Sequence, residues 1–248
     1  MITPGRSGST FLQIQLNRLY GVYAEESYFT ITQAPLQCYT SMFGQSEEYQ
    51  NQFIKNKIRL IKGLRCDHYV DSVSLTCQNN IIERYIDQGY MPNVITLRRD
   101  PRLVAWSYYQ LGWDVVNPPL SFVKPSDPNV LRMTLEDPHE YQNCLWYCFE
   151  IERLARQYKS KLKSWGAKHY ETSLNRILDK NNFDKMTDFF GMPRIGYLYT
   201  DKINSLDEGK YTSIFSAHKQ ELQEQFIENI KQNNDLDESF LNMDKWDY

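Results

Sequence analysis

Residues Arg6-Ser7-Gly8-Ser9-Thr10 follow Thr3-Pro4-Gly5 and run straight into an apolar helical stretch. That pattern can cradle a phosphate or a sulfate. Gly5 and Gly8 let the backbone turn tightly with its N–H groups facing inward. The hydroxyls of Ser7, Ser9 and Thr10 add donors, and Arg6 adds a cationic fork. Phe11, Leu12, Ile14, Leu16, Leu19 and Tyr20 read as a buried helix whose positive N-terminus faces the anion. A plain helix-capping turn has the same composition, so the loop by itself leaves both readings open. It is not a Walker A loop, because both the glycine spacing and the lysine of G-x-x-x-x-G-K-[ST] are missing.

A second segment bears on the choice. The apolar run at residues 93–97 suits a buried strand and leads into Arg98-Arg99-Asp100-Pro101-Arg102. Asp100 as N-cap and Pro101 at the first helical position start a helix. Arg99 then lies on the loop and Ser107 on the helix, about 10 Å along its axis. The pair can grip a further anionic group, or Arg99 and Asp100 can form a structural ion pair.

Together the two segments resemble the sulfotransferase superfamily, whose members use 3′-phosphoadenosine 5′-phosphosulfate (PAPS) and release 3′-phosphoadenosine 5′-phosphate (PAP). In that family an R-S-G-S/T-T loop holds the 5′-phosphosulfate. An R-D/N-P-R stretch, with a serine eight residues beyond its first arginine, holds the 3′-phosphate. The matching positions are Arg6, Ser7, Gly8, Ser9 and Thr10 for the loop, and Arg99 and Ser107 for the second motif. Tyr170-Glu171-Thr-Ser-Leu174 and Phe189-Phe190-Gly191-Met192-Pro193 are similar to a later family block, and Gly209-Lys210 to a glycine-lysine segment. The resemblance implies a P-loop-like α/β fold, a single sulfotransferase domain over residues 1–248, PAPS as co-substrate and no metal. It also implies that Tyr170 contacts the adenine, where a core tyrosine is the alternative. Lys210 adds charge at the 3′-phosphate on the same basis, or is a solvated lysine.

Sulfuryl transfer resembles phosphoryl transfer, with in-line attack, a loose transition state and charge gathering on the leaving phosphate oxygen. Arg6 suits the stabilisation of that oxygen but holds its protons too tightly to act as a proton donor, so its role is electrostatic. The proton acceptor is read from Glu25-Glu26, just beyond the first helix, where related sulfotransferases carry a catalytic glutamate. Glu26 is the assignment, Glu25 is next, and a solvated acidic turn is the alternative. His68 is the rival base. Two other functions stay open: a P-loop-like nucleotide kinase, and a catalytically idle PAP-binding protein. The acceptor is a carbohydrate, a tyrosine or other phenol, an amine or a small alcohol, with nothing in the sequence to choose among them.

These residues need a scaffold, and 248 residues suffice for one domain with a sizeable core. A net charge of −3 and a pI of about 5.9 argue against a general polyanion-binding surface, hence against nucleic acid. The five cysteines show no C-x-x-C pair, and Cys144 and Cys148 fall at core helical spacing, so reduced thiols are expected. No run is apolar enough for a membrane span and no signal peptide is visible, so a cytoplasmic protein is expected.

Short apolar strands alternate with helices, which predicts a central parallel sheet flanked by helices. Strands are expected at residues 1–3, 58–61, 93–97 and 165–170. Helices are expected at 9–19, 47–64, 80–90, 140–163, 174–190 and 216–231. Residues 113–138 read as a long loop, and the acidic stretch from Asp235 as a solvated terminus.

Overall fold

The computed structural model describes residues 1–26, 47–72, 80–116, 124–199 and 217–246. The chain opens with residues 1–3, then α1 (Ser9–Leu16), β1 (Val22–Glu26), α2 (Glu47–Gly63), β2 (His68–Ser72) and α3 (Ile81–Asp87). It continues with β3 (Val94–Arg98), α4 (Pro101–Gln110), α5 (Glu140–Trp165), β4 (His169–Ser173), α6 (Leu174–Ile177) and α7 (Lys180–Phe190). Two further helices, α8 (Ala217–Asn233) and α9 (Glu238–Leu241), complete it.

β1 pairs with β2 and β3 with β4, both in parallel register. Residues 1–3 lie between the two pairs. Ile2 bridges Thr96 in parallel, donating to Ile95 O at 2.8 Å and accepting from Leu97 N at 3.0 Å. On the other side the Met1 amino group donates to Asp71 O at 2.6 Å. The spatial order is therefore β1, β2, residues 1–3, β3, β4, an α/β sheet built by crossover helices.

Helices cover both faces. Alternation along β3 sends Val94 into a core with Ile2, Val104 and the buried side of α5, while Ile95 and Leu97 meet Phe11, Leu12, Phe183 and Met186 on the other face. α4 starts as its sequence predicts, with Asp100 accepting from Arg102 N at 2.8 Å and Pro101 at the first position. Among the described residues no helix is long and apolar enough to cross a membrane. Cys144 and Cys148 are buried free thiols on α5, and burial pushes the Cys144 thiol up to about 12.

Several boundaries differ from expectation, each for a visible reason. Residues 58–61 are helical, because Ile54 and Ile58 stack on one buried face of α2. The strand expected at 165–170 begins at His169, since α5 runs through Trp165 and stops only at Gly166, with φ 74°. The helix expected over 174–190 breaks where Asp179 caps α7, accepting from Asn182 N at 2.9 Å. The acidic terminus is part of the core: Phe240 and Trp246 pack on Phe149, with ring centroids at 5.6 and 4.6 Å. In the long loop, Leu131 and Met133 are buried, and Leu131 O accepts from Trp146 Nε1 at 2.5 Å.

Candidate active site

In a sheet of this kind all strands end on one edge, and ligands sit outside the carboxyl ends where the strand order reverses. Here the reversal falls at residues 1–3: the chain leaves them for β1 and β2 on one side, then crosses to β3 and β4 on the other. The loop at residues 4–8 leaves the central position at that edge, and Arg99 leaves β3 beside it.

The loop is wound through three left-handed residues, Gly5 (φ 77°), Arg6 (φ 50°) and Gly8 (φ 90°). For an arginine this costs about 1–2 kcal/mol, which surrounding contacts must hold in place. Those contacts are specific. Ser7 is fully buried and its hydroxyl donates to Gly5 O at 2.9 Å. Gly5 N donates to Thr3 Oγ1 at 3.3 Å, and Tyr108 OH donates to Pro4 O at 2.5 Å. Gly8 backs onto Leu174, where an added Cβ would fall 2.4 Å from a methyl carbon. Ser9 and Thr10 open α1, whose N-cap Gly8 supplies no side-chain cap. The first-turn amides of α1 therefore have no capping oxygen from that residue.

The second motif meets this loop directly. Arg6 Nε donates to Ser107 Oγ at 2.9 Å, and Arg99 Nη1 donates to Arg6 O at 3.0 Å. Arg6, Arg99 and the buried Ser107 thus form one cluster. The alternative of an Arg99–Asp100 ion pair is not formed: Asp100 is held by Arg102, with Nε at 2.9 Å and Nη2 at 2.6 Å. Arg98 is bound to Glu152 at 2.8 Å and Glu171 at 2.9 Å, and its acidic neighbours raise its pKa against the effect of burial. Arg6 and Arg99 differ from these: among the described residues neither pairs with a carboxylate, and each keeps further N–H donors available. Two neighbouring guanidinium groups beside a helix N-terminus are an arrangement that can hold an anion.

The remaining candidates separate by edge. Glu26 closes β1 on the carboxyl edge, in register with Ser72, and its side chain lies outside the described residues. Glu25 is buried and structural. It accepts from Tyr69 OH and pairs with Lys57 Nζ at 3.4 Å, while Lys57 also binds Asp71, the register partner of Glu25. Burial first, and then the nearby Asp71 and Glu25, raise the Tyr69 hydroxyl far above its ordinary value. His68 opens β2 at the amino edge, about 13 Å of strand from the other end. That position sets it apart from the Arg6–Arg99 cluster, at the opposite edge of the sheet from Glu26. Tyr170 is the second residue of β4, its ring on Phe189 and Phe190 at 5.4 and 6.3 Å, so it joins the core cluster and not the Arg6–Arg99 cluster. Lys210 lies outside the described residues. Tyr108 was not singled out in the sequence, although its place next to Ser107 on a helix opposite the loop was a usable signal.

No protein-family model and no curated protein matches the chain. Among solved structures it is similar to a "Sulfotransferase Domain from the Curacin Biosynthetic Pathway", with 14% identity, 90% of this chain and 95% of that chain covered, and a TM-score of 0.48. So loose an overlap decides neither fold family nor activity.

Proposed function

We propose that the protein is a sulfotransferase that moves a sulfuryl group from PAPS to a hydroxyl or amine acceptor and releases PAP. The observation that carries this reading is the meeting of Arg6, Arg99 and Ser107 at the left-handed loop, with no described carboxylate on either arginine. The cluster suits a phosphate-bearing nucleotide, and the resemblance of the two motifs to those of PAPS enzymes is what assigns it two phosphates.

On this reading Arg6, the amides of the loop and the start of α1 hold the 5′-phosphosulfate, with Ser7, Gly8, Ser9 and Thr10 forming the wall. Arg99 and Ser107 hold the 3′-phosphate. Arg6 stabilises charge on the bridging oxygen as the sulfur–oxygen bond breaks. Glu26 takes the proton of the acceptor as its oxygen or nitrogen bonds to sulfur. The electron pair of the broken bond leaves on PAP, and no step requires a metal.

Calorimetry without metal should show PAP binding far more tightly than ATP with Mg²⁺. Equal or tighter ATP–Mg²⁺ binding would overturn the proposal in favour of a nucleotide kinase. A labelled-PAPS transfer assay against pooled carbohydrates, peptides and phenols then identifies the acceptor. PAP binding with no transfer to any pool would leave an idle PAP-binding protein.

A further inference from the structure

The carbonyls of the loop are held one after another. Pro4 O accepts from Tyr108 OH at 2.5 Å, Gly5 O from the Ser7 hydroxyl at 2.9 Å, and Arg6 O from Arg99 Nη1 at 3.0 Å. In a trans peptide the N–H lies opposite the C=O of the same plane. Fixing these three oxygens therefore fixes where the amides of Gly5, Arg6 and Ser7 aim. Gly5 N–H is taken by Thr3 Oγ1 at 3.3 Å. Among the described residues the Arg6 and Ser7 amides donate to no protein acceptor.

The three holders differ in kind. Ser7 belongs to the loop itself, and Arg99 keeps donors for a ligand. Tyr108 stands outside both, buried on α4 one residue beyond Ser107. Its ring packs edge-on to Tyr147 at 5.8 Å and tilted against Trp113 at 5.7 Å, contacts that need no hydroxyl. The hydroxyl reaches past them to the loop. Both ends of the Pro4–Gly5 peptide are thereby pinned, the oxygen by Tyr108 and the N–H by the buried Thr3. That peptide leads straight into the left-handed pair Gly5 and Arg6, the costly part of the turn.

We infer that Tyr108 is a positioning residue of the candidate anion site. Its hydroxyl sets the plane of the Pro4–Gly5 peptide, and through it the aim of the Arg6 and Ser7 amides. On the reading that this loop holds the 5′-phosphosulfate of PAPS, on which the inference rests, a tyrosine acting through the loop affects the 5′ end of the nucleotide. Its contribution is pre-organisation, which ligand binding does not then have to supply.

The test is Tyr108→Phe in the full chain, with Tyr109→Phe as the control for loss of a neighbouring hydroxyl. PAP and adenosine 5′-phosphosulfate share the 5′ end, so Tyr108→Phe should weaken both by the same factor, about three- to tenfold, and Tyr109→Phe neither. Thr3→Val frees the other end of the same peptide and should reproduce the equal losses. Without nucleotide, hydrogen exchange at the Gly5 amide should quicken about threefold or more in Tyr108→Phe. The Leu97 amide, bound to Ile2 O in the sheet, should keep the parent rate. A loss confined to PAP, or unchanged affinity for both nucleotides, overturns the inference. So does a Gly5 rate that is unchanged or that quickens only together with Leu97, as a merely structural tyrosine would give. A parent chain that binds neither nucleotide overturns the sulfotransferase reading instead, and the exchange comparison then decides the role of Tyr108 by itself.

Discussion

Arg102 takes Asp100, Arg98 takes Glu152 and Glu171, and among the described residues Arg99 between them takes only a carbonyl of the loop. One side chain of the three is therefore available to a ligand. Arg99→Ala removes a charge-assisted hydrogen bond worth about 1.5–3 kcal/mol, so PAP affinity should fall some ten- to hundredfold. Titration calorimetry measures it, and a Tm close to that of the parent separates lost binding from lost folding. Glu26→Gln should lower turnover by roughly 10²–10⁴ while PAP affinity holds, as for a general base. His68→Ala, at the far edge, should leave turnover near normal; the opposite pattern in the transfer assay would return the base to His68.

At the scale of elements, β1 and β2 depend on a lysine from a third. Glu25 and Asp71 face each other across the two strands, and Lys57 from α2 sits between them, 2% exposed. Lys57→Ala leaves the buried Glu25 carboxylate opposite the partly buried Asp71, and chemical denaturation should show a loss of about 3 kcal/mol. β4 is fastened in a different way. Burial opposes ionisation of Glu171, but Lys159 and Arg98 hold its carboxyl below the ordinary value of 4.5. A depressed carboxyl stabilises the fold above the unfolded value and loses that effect as pH falls through the folded one. The stability gap between the parent and Glu171→Gln should thus be constant above about pH 5 and close below about pH 4.5, followed by urea titration at each pH. These ties explain why β1 escaped a reading of the sequence. Tyr23-Ala24-Glu25-Glu26 has no apolar run, and its inward glutamate is made tolerable by a residue 32 positions on. β3 and α4 were legible because their signals are local: an apolar run, then an N-cap and a proline.

Over the whole molecule, the crossover order brings the site together. Residues 6 and 107 lie 101 apart in sequence and share a hydrogen bond because residues 1–3 and β3 are neighbours and α4 turns back over the loop. Motif spacing alone named both residues, and no pattern in the sequence stated that they touch. The acidic terminus shows the reverse case. Its charge pattern reads as solvated, yet Phe240 and Trp246 complete the core around Phe149. Two aromatic residues in an acidic stretch were the signal, outweighed by composition.

The left-handed backbone at Arg6 sets binding against folding at a single position. Glycine is at ease there and alanine is not. Arg6→Gly and Arg6→Ala should abolish PAP binding alike, yet the glycine variant should be the more stable by about 1 kcal/mol, or roughly 2–4 °C in Tm. A library selected for thermal survival would therefore favour glycine over other replacements at position 6, and one selected for nucleotide capture would restore arginine. The two selections pull one codon in opposite directions.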